Sequence, residues 1–128
     1  MSFRYPGAWI EDGAFNPLTA PTPTTLYNLY SWGRNNRGTL GLGNTTNYSS
    51  PIQIGTLTNW KQVSTGYFYT SMIKNDGTLW SWGYNNTGQL GDGTTQSRSS
   101  PVQIGTLTTW SNVSANNLNG YAVKTDGT

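Results

Sequence analysis

The chain has 128 residues and 14.0 kDa, the size of one domain, which excludes a multidomain enzyme with its own cofactor domain. Charged residues are 9% of it and Gly, Ser, Thr and Asn about half, so long amphipathic helices are excluded and an all-β chain rich in turns is expected. With no Cys and no His it holds no disulfide, no zinc site of the usual kinds and no histidine-based triad, and a net charge of +2, from seven scattered cations against five carboxylates, gives no basic surface for nucleic acid.

Residues 1–28 differ in composition from the rest: they carry four of the six prolines and a PTPTT stretch that reads as an extended linker. Phe3, Tyr5, Trp9, Ile10 and Phe15 are too many apolar residues for a solvated tail and too few for a core, so this segment is expected to anchor on a partner surface or on its own domain. It has no basic region followed by an apolar stretch. No run in the chain approaches the roughly 20 apolar residues of a membrane span, so neither a cleavable secretion signal nor membrane insertion is expected.

From residue 29 the chain repeats. Residues 29–78 align without a gap on residues 79–128, with about 27 identities: Trp32 falls on Trp82, Pro51 on Pro101, Trp60 on Trp110 and Asp76 on Asp126. A period of fifty residues with this composition matches one four-stranded propeller blade, since helical repeats are shorter and rich in helix formers. Leaving aside the aliphatics, which are scarce, the blade core is expected to come from Trp32, Trp60, Trp82 and Trp110.

Within the unit, Leu29–Trp32 and Leu79–Trp82 alternate as strands, and weaker strands are expected at Gln53–Gly55 and around Val63. The clearest element is a hairpin over Ser71–Trp82, turning at Asn75-Asp76-Gly77-Thr78, where Asp-Gly suits a type I′ turn. The glycine density of GRNNRGTLGLG (33–43) and GYNNTGQLGDG (83–93) implies positive φ angles and closely packed backbone. Neither loop has the Lys-Ser/Thr ending of a phosphate-binding loop.

The LYSWG and LWSWG strands, the NNRGTLGLG and NNTGQLGDG loops, Pro51 and Pro101, and the NDGT and TDGT turns together resemble regulator of chromosome condensation repeats, over residues 29–128. The resemblance implies an all-β protein: two antiparallel four-stranded blades of an incomplete β-propeller, 29–78 and 79–128, preceded by the extended segment 1–28. The family covers exchange factors for a small GTPase, enzyme inhibitors and many bacterial and phage proteins, so it implies no single activity. Where the family often has His before the strand entering the final hairpin, this chain has Tyr69 and Asn119, and Asn116 replaces Gly66, which predicts a less regular strand in the second copy.

Two blades do not close a ring, so further copies of the chain or further repeats are expected to complete it. The expected assembly edges are Leu29, Tyr30 and Trp32 at one end and Asp126 and Gly127 at the other. Catalysis is not expected: of five carboxylates, Asp76 and Asp126 belong to turns, Asp92 to a loop, and Glu11 and Asp12 are sequence neighbours, so no pair is placed to work across a substrate and no metal or cofactor site is implied. Binding residues are expected where the two copies differ in their loops: Arg34 and Tyr84, Arg37, Tyr48 and Arg98, and Tyr67 and Asn117. The leading expectation is a structural or adhesion protein of a virion, a tail-fibre-like phage appendage, with other virion proteins or a cell-surface glycan as partners. The alternatives are a regulatory protein-binding propeller, of exchange-factor or inhibitor type, and a glycan-binding module.

Overall fold

A computed structural model of the chain describes residues 25–127. The anchor residues Phe3, Tyr5, Trp9, Ile10 and Phe15 lie outside the described residues. All regular structure between 25 and 127 is β: β1 (Tyr30–Gly33), β2 (Tyr48–Gln53), β3 (Trp60–Thr65), β4 (Tyr69–Lys74), β5 (Leu79–Gly83), β6 (Arg98–Gln103), β7 (Trp110–Ala115) and β8 (Gly120–Lys124). The strand expected at Gln53–Gly55 thus lies earlier, at Tyr48–Gln53, and the one around Val63 is β3.

The eight strands are two blades' worth, but they are divided as one complete sheet and two halves: β1-β2, β3-β4-β5-β6 and β7-β8, every pair antiparallel. The complete blade straddles the sequence repeat, taking its first two strands from residues before 79 and its last two from residues at and after it. Pro51 and Pro101 lie in β2 and β6, the outer strands of their sheets, where a residue without an N–H removes no ladder bond.

The expected hairpin is β4–β5, in the register Ser71↔Ser81 and Ile73↔Leu79. Its turn is not type I′. That turn needs positive φ at two successive residues, and among the described residues only glycines have it; Gly77 (φ +80°) is the one in this turn. Gly77 N–H donates to Lys74 O and Lys74 N–H to Thr78 O, both at 3.0 Å, which is a type I turn closed by a glycine bulge. Asp76 Oδ1 fixes it by accepting from Thr78 N–H (3.0 Å) and the Thr78 hydroxyl (2.7 Å). The irregularity expected in the second copy is not seen either. β7–β8 pairs in the same register as β3–β4, fifty residues on, with the same single shift near its start.

Alternation in β4 and β5 gives the complete blade two apolar faces. Met72 and Trp82 pack with Ile54 and Trp60, supported by Leu29, Leu42 and Trp80; Ile73 and Leu79 pack on the opposite face with Val113, supported by Ile104, Trp110 and Ala122. Neighbouring half-blades cover both faces, and all six residues of β4 are buried; β8, covered on one face, has Tyr121 59% and Val123 57% exposed. Of the four tryptophans expected in the core, Trp60 and Trp82 are buried and Trp110 half-buried, whereas Trp32 is 60% exposed. Trp32 faces out because the blade side that receives its counterpart Trp82 has no equivalent before β1 among the described residues.

Candidate functional site

The two glycine-rich loops build the ends of the blades that carry the candidate residues. Each is stapled by one fully buried asparagine. Asn35 Oδ1 accepts from Leu40 N–H (2.9 Å) while its amide donates to Asn44 O (3.0 Å); Asn85 does the same with Leu90 N–H (3.0 Å) and Thr94 O (3.0 Å). These asparagines satisfy backbone groups that a loop folded this tightly leaves without a ladder partner. The staples hold Arg34 and Arg37 at one end of β1 and Tyr84 at the same end of β5.

Between them comes the β3–β4 loop with Tyr67 and Phe68. Tyr84 N–H donates to Phe68 O (2.8 Å) and Tyr67 N–H to Asn117 O (3.1 Å), so three loops are joined through backbone. On this frame five side chains form a continuous surface. Tyr67 and Phe68 rings lie 4.2 Å apart, Phe68 meets Tyr84 edge to face at 6.2 Å, the Arg34 guanidinium lies 5.9 Å from the Phe68 ring centre, and Arg37 sits 4.8 Å from that of Tyr84. Arg34, Arg37 and Tyr67 are exposed, and neither arginine has a carboxylate partner among the described residues.

The structure therefore brings together Arg34, Arg37, Tyr67 and Tyr84 of the expected binding residues, with Asn117 beside them. It leaves two elsewhere. Tyr48 accepts a hydrogen bond from the Asn44 amide (3.2 Å) and lines a cavity of about 550 Å³ with Ile54, Trp60, Lys74 and Trp80. Arg98 is engaged by Asp92 at 3.1 Å. Burial pushes the Asp92 carboxyl up, but hydrogen bonds from Thr94, Arg98 and Asn85 outweigh it and hold the group at about 2. Phe68 was missed in the sequence because its place in the other copy is Leu118, a change between apolar residues that signals nothing about exposure.

Lys74 is a second residue the sequence did not mark. It is buried, with its ammonium 3.6 Å from the Trp80 ring centre and 4.9 Å from that of Trp60, and burial lowers its pKa against the opposing charge of Asp76. Its place between two indoles is structural: it closes the turn end of the β4–β5 hairpin over the Trp60–Trp80 pair.

The expected assembly edges are at the two half-blades. Leu29 packs against the first core cluster, Tyr30 is 47% exposed and Trp32 60% exposed on β1, and Asp126 and Gly127 form the turn after β8, where Gly127 N–H reaches Lys124 O at 3.4 Å.

The family model for the regulator of chromosome condensation (RCC1) repeat matches residues 28–73 and 76–116, and a second model of the same repeat matches 60–89. The chain belongs to the RCC1 repeat family. Among solved structures it is similar in fold to human WBSCR16 (22% identity, TM-score 0.65, covering 76% of this chain and 26% of that one). It is also similar to Prp20p from Saccharomyces cerevisiae, whose structure was described with its binding to Gsp1p and histones (21% identity, TM-score 0.63, 80% of this chain and 28% of that one). A structure of Kap60 bound to yeast RCC1 (Prp20) matches at 18% identity and TM-score 0.59, over 99% of this chain and 32% of that one. The chain thus spans about a quarter to a third of the length of these structures, and the likeness is one of fold. No curated protein matches it in sequence. RCC1 repeats make propeller blades, and this one complete blade with a half-blade on either side is a segment of such a propeller.

Proposed function

We propose that the chain is a non-catalytic, protein-binding propeller segment that serves as a structural or adhesion component, and that its partner docks on the surface of Arg34, Arg37, Tyr67, Phe68 and Tyr84. The observation that carries this reading is the placing of two arginines, without carboxylate partners among the described residues, over two of three contiguous aromatic rings across three loops. Arginine and tyrosine are the residues that dominate protein interfaces, and guanidinium groups held over rings keep their donors ready for a carboxylate. The partner surface that fits is acidic with an apolar anchor. The binding of Gsp1p and histones by Prp20p, and of Kap60 by yeast RCC1, supports a protein rather than a small molecule as partner. The setting we favour is a virion appendage, on the layout of an aromatic anchor, a Pro/Thr linker and Asn/Thr/Ser/Gly-rich β repeats.

The test compares the chain with its Arg34→Ala/Arg37→Ala/Tyr84→Ala variant in crosslinking capture from the cognate cells or particles, after circular dichroism has shown equal folding. A captured protein lost at least tenfold in the variant, and weakened by salt, is the expected result. Equal capture by both forms would overturn the docking surface. Binding on a glycan array that disappears with Tyr48→Ala or Tyr67→Ala would replace the protein partner by a sugar, and stimulation of nucleotide exchange at stoichiometric concentration would replace the structural role by a regulatory one.

A further inference from the structure

The repeat supplies its own template for what covers β8. Where the first repeat meets the second, Trp82 of β5 lies across the loop of the preceding repeat: its indole N–H donates to Thr39 O at 2.9 Å, and a Cβ on Gly41 would stand 2.7 Å from that nitrogen. The indole fits because residue 41 has no side chain. β5 is at the same time hydrogen-bonded along β4, from Tyr69↔Gly83 to Ile73↔Leu79.

Fifty residues on, the seat is repeated without its occupant. Gly91 stands where Gly41 does, and a Cβ there would meet only Ile104, at 3.7 Å. A cavity of about 310 Å³ opens beside it between Gln89, Leu90, Ile104, Trp110 and Tyr121. Gln89 is 7% exposed, and its side-chain nitrogen has no partner among the described residues. β8 has β7 on one edge and no strand on the other among the described residues.

The matching side chains are exposed at the opposite end of the same chain. Trp32, the counterpart of Trp82, is 60% exposed, against 1% for Trp82; Val63, the counterpart of Val113, is 50% exposed, against 5%. Val113 is buried against Ile73, and the residue fifty positions beyond Ile73 is Val123, itself 57% exposed. One contact accounts for all of these: the half-blade β7–β8 of one copy joined to the half-blade β1–β2 of another. Translating the internal register by one repeat sets Gly120 opposite Trp32, Tyr121 opposite Ser31, Ala122 opposite Tyr30 and Val123 opposite Leu29. Trp32 then lies on Gly91 with its indole N–H toward Gln89 O, Val63 covers Val123, and Lys124 takes the place of Lys74, next to Trp110 and Tyr30.

We propose that a second copy of this chain docks head to tail on β8, inserting Trp32 into the seat over Gly91 and completing a four-stranded blade β7-β8-β1-β2 across the interface. The contact is heterologous, so it repeats until the rotation closes a ring. Each copy supplies two blades, and known rings hold about four to eight, which sets a closed particle of two to four copies. The contact borders the Arg34–Tyr84 surface at Arg34, which takes the place that Tyr84 holds beside Phe68 at the internal junction, but it is argued from β1, β8 and the seat over Gly91 and does not depend on the function assigned to that surface.

The test uses two variants of the full chain, each with one end disabled. Trp32→Ala removes the inserted side chain at an exposed position. Gly91→Asn fills the seat with the residue that best tolerates the positive φ of +73° found there. In sedimentation velocity the unmodified chain is expected to run as one discrete particle of two to four copies, and each variant alone as a monomer, its association weakened at least about thirtyfold. Mixed one to one, the variants are expected to form a capped heterodimer, since Trp32 of the Gly91→Asn chain finds the open seat of the Trp32→Ala chain. An unmodified chain that stays monomeric up to hundreds of micromolar overturns the proposal, as it would if further repeats rather than a second copy cover β8. An unmodified oligomer with a mixture that stays monomeric, or with variants that still self-associate, overturns it as well by placing the contact elsewhere.

Discussion

Trp82 and Trp32 hold the same place in successive repeats, in strands that differ at one residue of five (LWSWG and LYSWG), yet one is buried to 1% exposure and the other is 60% exposed. The difference is not in the residue or its strand but in what lies beneath. Trp82 has the Thr39–Gly41 backbone under its ring and β4 along its strand; Trp32 has no counterpart of either among the described residues. Burial in this fold belongs to the junction between repeats rather than to the repeat, because each blade face is finished by a neighbour.

The widest gap between the two should appear on truncation. Trp82→Ala is expected to cost about 3–5 kcal/mol by chemical denaturation, since it empties the first core cluster, whereas Trp32→Ala in the isolated monomer should fall within about 0.5 kcal/mol. Comparable losses would mean that Trp32 is covered by the chain itself. A second contrast concerns the two seats. Gly41→Val combines a positive φ of +73° with a clash against the Trp82 indole and is expected to lose about 2–4 kcal/mol; Gly91→Asn should lose about 1 kcal/mol or less.

Acid sharpens the comparison between the two loops. Asp92 replaces Leu42 of the first loop and ties the second to Arg98, Thr94 and Asn85. Its pKa is about 2 in the folded chain, below the ordinary 3.8, so its contribution is fully present above about pH 4 and is lost as pH falls toward 2. The expected loss is about 1–2 kcal/mol, absent in Asp92→Asn, and NMR shifts of residues 92–98 should move before those of 42–48. A stability effect as small as that of Trp32→Ala, within about 0.5 kcal/mol, is expected for Arg37→Ala, because the arginine is exposed and lies over Tyr84 without a carboxylate partner among the described residues; its loss should register in partner binding instead.

Much of this was legible from one chain because it carries its own comparison. The period of fifty, the β4–β5 hairpin and the glycine loops follow from identities between the copies, and the loop differences between them located Arg34, Arg37, Tyr67 and Tyr84. What the comparison hides is the phase of the blade. A repeat can be cut anywhere along its period, and only strand pairing puts the boundary between β2 and β3. It hides exposure for the same reason: two identical tryptophans read alike until one is found without a neighbour. Arg98 looked like a surface contact because its partner Asp92 lies six residues away across a turn that periodicity does not resolve.

The most direct measurement is amide hydrogen exchange along β8 and β4 at low and high protein concentration. If a second copy completes the blade, Gly120–Lys124 exchange as an edge strand in dilute solution and slow to the protection of Tyr69–Lys74 as concentration rises, together with Tyr30–Gly33. If β8 keeps edge-strand exchange at every concentration while β4 stays protected, no copy pairs with it and the head-to-tail blade is contradicted.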